Sequence, residues 1–247
     1  MLGLRVARRW GPARIAYRLR MAVSTVHKIL RRYGCPPLAW TDPATGVRIK
    51  WSRKKVNSYV QQAPGDLVHV DIKKLGRIPD GGGWRFLGRA AGHRRKNRPM
   101  GYWYIHNAVD DYSRLADSEL LNDEKKETSA AFWKRADAYF AAAGITVQRV
   151  LTDNGSCYRS KLFAAALGEN IKHKRTRPYR PQTNGKVERF NRTTLEEWAY
   201  ARPYSSEAER TALFNDWLHT YNHHRGHTAL EGKSPADPVP NLRGQNN

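Results

Sequence analysis

Three acidic residues stand where a carboxylate is costly unless something balances its charge. Asp71 interrupts the apolar run Leu67-Val68-His69-Val70-Asp71-Ile72, and an acid inside an apolar strand is expensive unless it is paired or binds a cation. Asp153 closes the run Val150-Leu151-Thr152, and Asn154-Gly155 then make an abrupt exit. Glu188 lies in PYRPQTNGKVERF (178–190), which begins as an extended Pro-rich stretch and turns into a helix. Adjacent strand ends and a nearby helix can gather three such groups. Oxygen-only ligands, with no Cys or His cluster, suit Mg²⁺ or Mn²⁺. Two such ions would activate an attacking oxygen and stabilise the leaving one in phosphoryl transfer. Taken singly, each acid has a plainer reading. Asp153 before Asn-Gly is also a turn former, and Glu188 beside Lys186 and Arg189 could be a surface helix residue. Asp110 and Asp111, in Val109-Asp110-Asp111-Tyr112-Ser113-Arg114, compete for the second position, although Asp-Asp-Tyr-Ser also makes a good turn.

The elements that must carry these acids follow from the periodicity. Residues 67–72, 102–109, 114–120, 146–151 and 171–175 read as strands. Residues 124–143 read as an Ala-rich helix with Phe132, Ala136, Tyr139 and Ala143 on one face, ended by Gly144. A short helix near 159–168 and two long helices, 184–200 and 206–222, complete the pattern. Three consecutive strands followed by alternating helix and strand indicate a mixed α/β sheet with helices on its faces. Trp198, Trp217, His219, His223, His224 and His227 near the C-terminus could suggest a metal site, but amphipathic helices need such aromatics for packing, and packing is the preferred reading.

Charge organises the rest. Of 247 residues, 44 are Lys or Arg and 22 Asp or Glu, a net charge of +22. Such self-repulsion is relieved by a polyanion, so nucleic acid is the leading partner. Residues 1–55 hold 14 Lys or Arg and one acid, Asp42. Within them, a helix over 12–20 with Ile15 and Leu19 inward, the turn Met21-Ala22-Val23, and a second helix capped by Ser24 and stopped by Gly34 describe a helix-turn-helix. Val26, Ile29 and Leu30 would point inward, and Thr25, His27, Lys28, Arg31 and Arg32 outward toward DNA. A basic hairpin on a solvated surface would show the same pattern. Residues 85–98 carry six basic residues and no acid, Arg94, Arg95 and Lys96 among them, and residues 172–192 carry eight basic residues around Glu188. Cys35 and Cys157 cannot make a zinc module by themselves, and no run of 18 apolar residues occurs. The chain reads as soluble and cytoplasmic, without a membrane partner.

The segments around Asp71, Thr152-Asp153-Asn154-Gly155 and PYRPQTNGKVER resemble the integrase-core, or DDE, transposases of bacterial insertion sequences, relatives of retroviral integrases. The resemblance spans roughly residues 60–236. Between Asp153 and Glu188 lie 34 residues (188 − 153 − 1), close to the family's customary 35. It implies a ribonuclease H-like mixed sheet flanked by helices, with Asp71, Asp153 and Glu188 catalytic. Asp71 would bridge two Mg²⁺ or Mn²⁺ ions, Asp153 would hold one and Glu188 the other. The implied domains are a helix-turn-helix at 1–35, a basic linker at 36–64, the catalytic core at 65–236 and a tail at 237–247. Only eleven residues precede Pro12, so the N-terminal module is expected to be truncated or incomplete, without the additional helical unit that family members carry. In YNHHRGHTALEGKSP (221–235), Gly226 replaces a proline of the family's motif, which is expected to loosen a turn. A lysine seven residues beyond the glutamate in retroviral relatives is Leu195 here, and Arg192 could take its role. Arg177, Gln182, Asn184, Lys186, Arg189 and Arg192 would contact DNA beside Glu188.

The function so implied is a DNA transposase that binds its element's terminal inverted repeats, cleaves there, and joins the freed end to target DNA as a homo-oligomer. A nuclease on the same fold, or an inactive DNA-binding copy, is the alternative.

Overall fold

The computed structural model describes residues 1–41, 61–88, 90, 100–176 and 184–242. The chain divides into two compact units. One comprises Met1–Lys55, Ile78–Pro99 and Thr193–Ser234; the other comprises Val56–Arg77, Met100–Arg192 and Pro235–Asn247.

The second unit is built on a five-stranded sheet. Its strands are β1 (Val68–Gly76), β2 (Tyr102–Asp110), β3 (Ala116–Leu121), β4 (Arg149–Thr152) and β5 (Lys172–Arg175), in the order β3-β2-β1-β4-β5. The first three form an antiparallel meander, whereas β4 lies parallel to β1 and β5 parallel to β4. The meander needs only tight turns, and each parallel step is bridged by a helix. Val68, Val70, Ala108 and Val150 are buried in one cluster with Phe132, Trp133, Ala136 and Phe140 of the helix Lys126–Ala142, and with Phe163 and Leu167 of the helix Lys161–Leu167. Side chains alternate across a strand, so His69 and Asp71 belong to the opposite face. The buried helix face is wider than the sequence period suggested, because Trp133 and Phe140 are fully buried beside the expected Phe132 and Ala136. β1 also runs past the expected 67–72: Lys73, Lys74 and Leu75 pair with Ile105, Tyr104 and Trp103. Asp71 therefore sits mid-strand and not near its end.

Gly65 anchors the approach to β1. It takes φ +86°, where its N–H donates to Asp110 Oδ1 at 2.8 Å and a Cβ would collide with the Thr146 carbonyl oxygen. No other residue type fits that position without strain.

The first unit is helical. Residues Leu2–Ala7 form α1, Pro12–Leu19 form α2 and Val23–Arg32 form α3. The short α1 has no counterpart in the sequence reading. Ala22, not Ser24, occupies the N-cap of α3, and Arg20 takes the left-handed conformation (φ 51°) that glycine usually supplies in such a turn. Ile15, Ala16, Val26 and Leu30 form the buried contact, whereas Leu19, expected inward, is 39% exposed. The two long C-terminal helices of the sequence reading are interrupted. Gly185–Thr194 gives way to a π turn at Leu195–Ala199, and Glu207–Ala212 and Phe214–His219 are separated at Leu213 and followed by a π turn at Thr220–His224. A π turn adds a residue without changing composition, so hydrophobic period does not reveal it.

Trp198, Phe214, Trp217 and Tyr221 pack edge-on or tilted in series, with ring centroids 4.7, 6.0 and 5.8 Å apart, which is the packing expected of this aromatic end. His219 and His223 stack at 4.6 Å. Gly226 does not loosen a turn. A Cβ there would lie 2.7 Å from the Gly232 carbonyl oxygen, so glycine permits a close backbone approach that proline would block. Glu197 accepts from Arg14 Nη1 at 2.9 Å and, through both oxygens, from Nε and Nη2 of Arg225 at 2.7–3.1 Å. Among the described residues, no helix is long and apolar enough to cross a membrane.

Candidate active site

The parallel ladder sets the first two acids. Its last pair is His69 with Leu151, so two residues further along both strands Asp71 and Asp153 come level. Asp153 follows the last residue of β4, and its Oδ1 accepts the Gly155 N–H at 2.8 Å. A Cβ on Gly155 would stand 2.9 Å from that oxygen, which is why glycine follows Asn154 in this exit. Asn154 Nδ2 donates to the Thr176 carbonyl at 2.9 Å, tying the exit to the end of β5.

Asp71 is held from the side by amides. Asn191 Nδ2 donates to Asp71 Oδ2 at 2.7 Å, and Asn191 Oδ1 accepts from Asn107 Nδ2 at 2.8 Å. Asn107 is Asp71's direct partner across the ladder, and its own Oδ1 accepts from Ser118 Oγ. With both ends of the Asn191 amide committed, its donor can only face the carboxylate. Burial pushes the Asp71 carboxyl up to about 6, Asp153 adds repulsion, the Asn191 N–H partly opposes, and Glu188 repels further. Three acids from separate parts of the chain thus share one field.

Glu188 is exposed, in the first turn of the helix Gly185–Thr194. The start of that helix is locked inward. Asn184 Oδ1 lies 2.9 Å from His69 Nδ1, His69 Nε2 lies 2.9 Å from Asp111 Oδ1, and Lys186 Nζ lies 3.3 Å from the same oxygen. Asn184 and Lys186, expected on DNA, therefore point into this network; Asn184 is 4% exposed. Burial alone would raise Asp111, but His69, the Gln61 N–H and Lys186 outweigh it and hold the carboxyl below its ordinary value. Asp110 is likewise spent on structure. It accepts from Gly65 N–H, Ser113 N–H and Ser113 Oγ at 2.7–2.8 Å, and burial pushes it up. The rival second carboxylates belong to a capped turn.

Among the described residues, no group of three His, Cys, Asp or Glu stands close enough together to hold a metal ion. What the structure does give is a set of hard oxygen donors repelling one another. That donor chemistry fits a divalent cation such as Mg²⁺, whose charge would relieve the repulsion.

Thr25, His27, Lys28, Arg31 and Arg32 are all exposed on α3, and Arg189 and Arg192 are exposed beside Glu188. Arg94, Arg95, Lys96, Arg177 and Gln182 lie outside the described residues, as do the linker positions 42–60. The sequence reading missed His69, Asn107 and Asn191. Two of these carried a signal: His69 shares a strand face with Asp71 at i,i+2, and Asn191 shares a helix face with Glu188 at i,i+3.

A mixed sheet ordered 3-2-1-4-5, with helices on its faces, is the ribonuclease H-like fold. Family models described as integrase core domain match residues 61–181 and 169–235. The chain belongs to the integrase-core family, the DDE-type domain that transposases share with retroviral integrases. It is 24% identical over 147 residues to the protein named as integrase ORF3 of Spiroplasma virus SpV1-C74; the match covers 54% of this chain and 41% of that protein's length. Among solved structures, it resembles a chain of the simian T-cell lymphotropic virus intasome in complex with the PP2A regulatory subunit B56γ. There the TM-score is 0.53 at 18% identity, covering 93% of this chain and 77% of that one. It also resembles the HTLV-2 integrase catalytic core domain in complex with magnesium, in its trimeric form. That match has a TM-score of 0.50 at 15% identity, covering 72% of this chain and 98% of that one.

Proposed function

We propose that this chain is a DNA transposase that binds the terminal inverted repeats of its element and catalyses metal-dependent cleavage and strand transfer. The observation that carries the reading is Asp71, driven to about 6 by burial and by Asp153 and Glu188 on an integrase-core sheet. Carboxylates perturbed by burial and by neighbouring acids cluster at functional sites. Asp71, Asp153 and Glu188 would hold two Mg²⁺ or Mn²⁺ ions. Bound there, the ions supply Lewis-acid activation of the attacking oxygen and charge stabilisation of the leaving one. The magnesium named with the HTLV-2 core supports this reading.

The chain's own part is to fix geometry and admit a polyanion. Asn191 orients Asp71, and the Gly155 N–H orients Asp153. Arg189 and Arg192 lend positive charge beside Glu188, so a phosphodiester can approach an acidic site. In the first reaction a water oxygen bonds to the phosphorus at the element's end and the 3′ oxygen departs as a hydroxyl. In the second that hydroxyl bonds to a target phosphorus and displaces the target's own 3′ oxygen, with no covalent enzyme intermediate. The exposed face of α3 is assigned to the element ends. Two ends must be handled together, so a homo-oligomer is expected; the intasome and the trimeric core among the related structures support it. With six to ten phosphate contacts, affinity should fall about 10³–10⁵-fold between 50 and 200 mM salt.

The test is strand transfer of labelled duplexes, ending in the DNA that flanks the gene, into supercoiled plasmid. Wild type and Glu188→Gln are compared in Mg²⁺ and in Mn²⁺. Joined products from wild type alone are expected. Cleavage without joining would replace the reading by a nuclease on the same fold, and binding without either by an inactive DNA-binding copy.

A further inference from the structure

The Val109-Asp110-Asp111-Tyr112-Ser113-Arg114 motif and the inward turn of Asn184 and Lys186 find no place in the reaction above. Together they make a second attachment between the strand that carries Asp71 and the helix that carries Glu188. Residues 184, 188 and 191 recur at i, i+4 and i+7, so they share one face of the helix. Residues 69 and 71 share one face of β1. Asn191 bonds Asp71 at 2.7 Å and Asn184 meets His69 at 2.9 Å. Glu188 lies between these two pins. The His69 pin is itself braced: the ring is fully buried, its Nε2 lies 2.9 Å from the fully buried Asp111, and Asp111 Oδ2 accepts the Gln61 N–H at 2.8 Å. Lys186 adds a third tie from the helix to the same carboxylate at 3.3 Å.

We infer that His69, Asp111 and Lys186 form a positioning clamp that seats the first turn of the Glu188 helix on β1 and so sets where Glu188 stands relative to Asp71. The inference rests on the proposed site and adds residues that touch neither substrate nor cation. Groups that orient ligands from behind typically alter metal affinity or activity 10–100-fold when removed. A purely structural role would instead lower stability and leave metal affinity alone.

The experiment titrates Mn²⁺ by electron paramagnetic resonance into full-length wild type, His69→Ala, Asp111→Asn and Lys186→Met, with thermal unfolding of each. Strand-transfer rates are then measured against Mg²⁺ concentration. Lys186→Met is the variant least threatening to folding, because that side chain is partly exposed. The expected result is about a 10–100-fold weaker Mn²⁺ affinity and a matching rise in the Mg²⁺ needed for half-maximal rate, with DNA affinity unchanged. Folded variants with wild-type metal affinity and wild-type Mg²⁺ dependence would overturn the clamp. If His69→Ala and Asp111→Asn do not fold, a wild-type metal response in Lys186→Met overturns it equally. A wild type that binds Mn²⁺ but joins no strands would refute the proposed activity while leaving the clamp to be judged on affinity. A wild type that binds no Mn²⁺ would sink both.

Discussion

Two half-buried carboxylates in this molecule are treated in opposite ways. Glu197, in the helical unit, would be raised by burial, but Arg225 and Arg14 more than reverse this and hold it below its ordinary value. Asp71, in the sheet unit, is raised to about 6 by burial, with Asp153 as the next cause; the Asn191 amide offsets only part of this, and Glu188 adds to it. One carboxylate has its charge consumed by the fold, and the other has repulsion left over. Glu207 likewise meets a cation, the buried Arg210, at 2.8–2.9 Å. The difference separates charge that holds a structure together from charge kept in reserve for a ligand. A chain of +22 has cations to spare, yet among the described residues the side chains that act most strongly on Asp71 are two acids and an amide.

The contrast is broken most sharply at Asp71 itself. Asp71→Asn removes a member of the repelling set, so strand transfer should fall by about 10³-fold or more, about 4 kcal/mol of barrier. Thermal stability should stay level or rise, because the folded state loses like-charge repulsion. Joining assays and a melting curve on the same preparation check both halves. A variant that melts earlier yet still joins strands would mean Asp71 is structural.

Glu197 should behave in the reverse sense. Glu197→Ala leaves Arg14 and Arg225 without their shared acceptor, and breaking a half-buried pair in this way costs about 2–3 kcal/mol. Urea unfolding measures the loss, and hydrogen exchange should place it in residues 1–41 and 193–234. A cost under about 1 kcal/mol would put the pairing in the class of surface ion pairs and remove half of the comparison.

The same contrast explains what the sequence could and could not show. Asp71, Asp153 and Glu188 were legible because each sits among residue types that make a carboxylate unusual: an apolar strand, an Asn-Gly exit, a Pro-rich entry to a helix. The sheet was legible because its strands are apolar runs bounded by turn residues. Partners brought together across long separations were not. Asn191 reaches Asp71 over 120 positions and Asn184 reaches His69 over 115, and no local period encodes either contact. Lys186 shows the cost of reading charge alone. In a run of basic residues it looks like a DNA contact, yet it faces Asp111. The π turns at 195–199 and 220–224 were hidden for another reason, since one additional residue in a turn leaves propensity and composition unchanged.

The smallest effect expected is a pH response of opposite sign in the two units. Asp117, on β3, is raised to about 6, chiefly by burial and then by Glu119. Its unfolded value is about 3.9, so between those values the folded state holds more protons than the unfolded one. Stability of the sheet unit therefore falls as pH rises through that window, and acidifying from pH 7 to 5 should strengthen it. Glu197 is held low, so its contribution is fully present above an unfolded value of about 4.3 and is lost as pH falls through the folded value. Native-state hydrogen exchange, corrected for intrinsic rates and followed between pH 7 and 4, reads the two units separately. Protection should rise toward pH 5 in β1–β3, and in the helical unit it should fall only at the acid end. Asp117→Asn should flatten the first trend without touching the second. If both units instead lose protection together from pH 7 downward, the carboxylates of the sheet unit are paired after all, and the distinction between consumed and reserved charge does not hold.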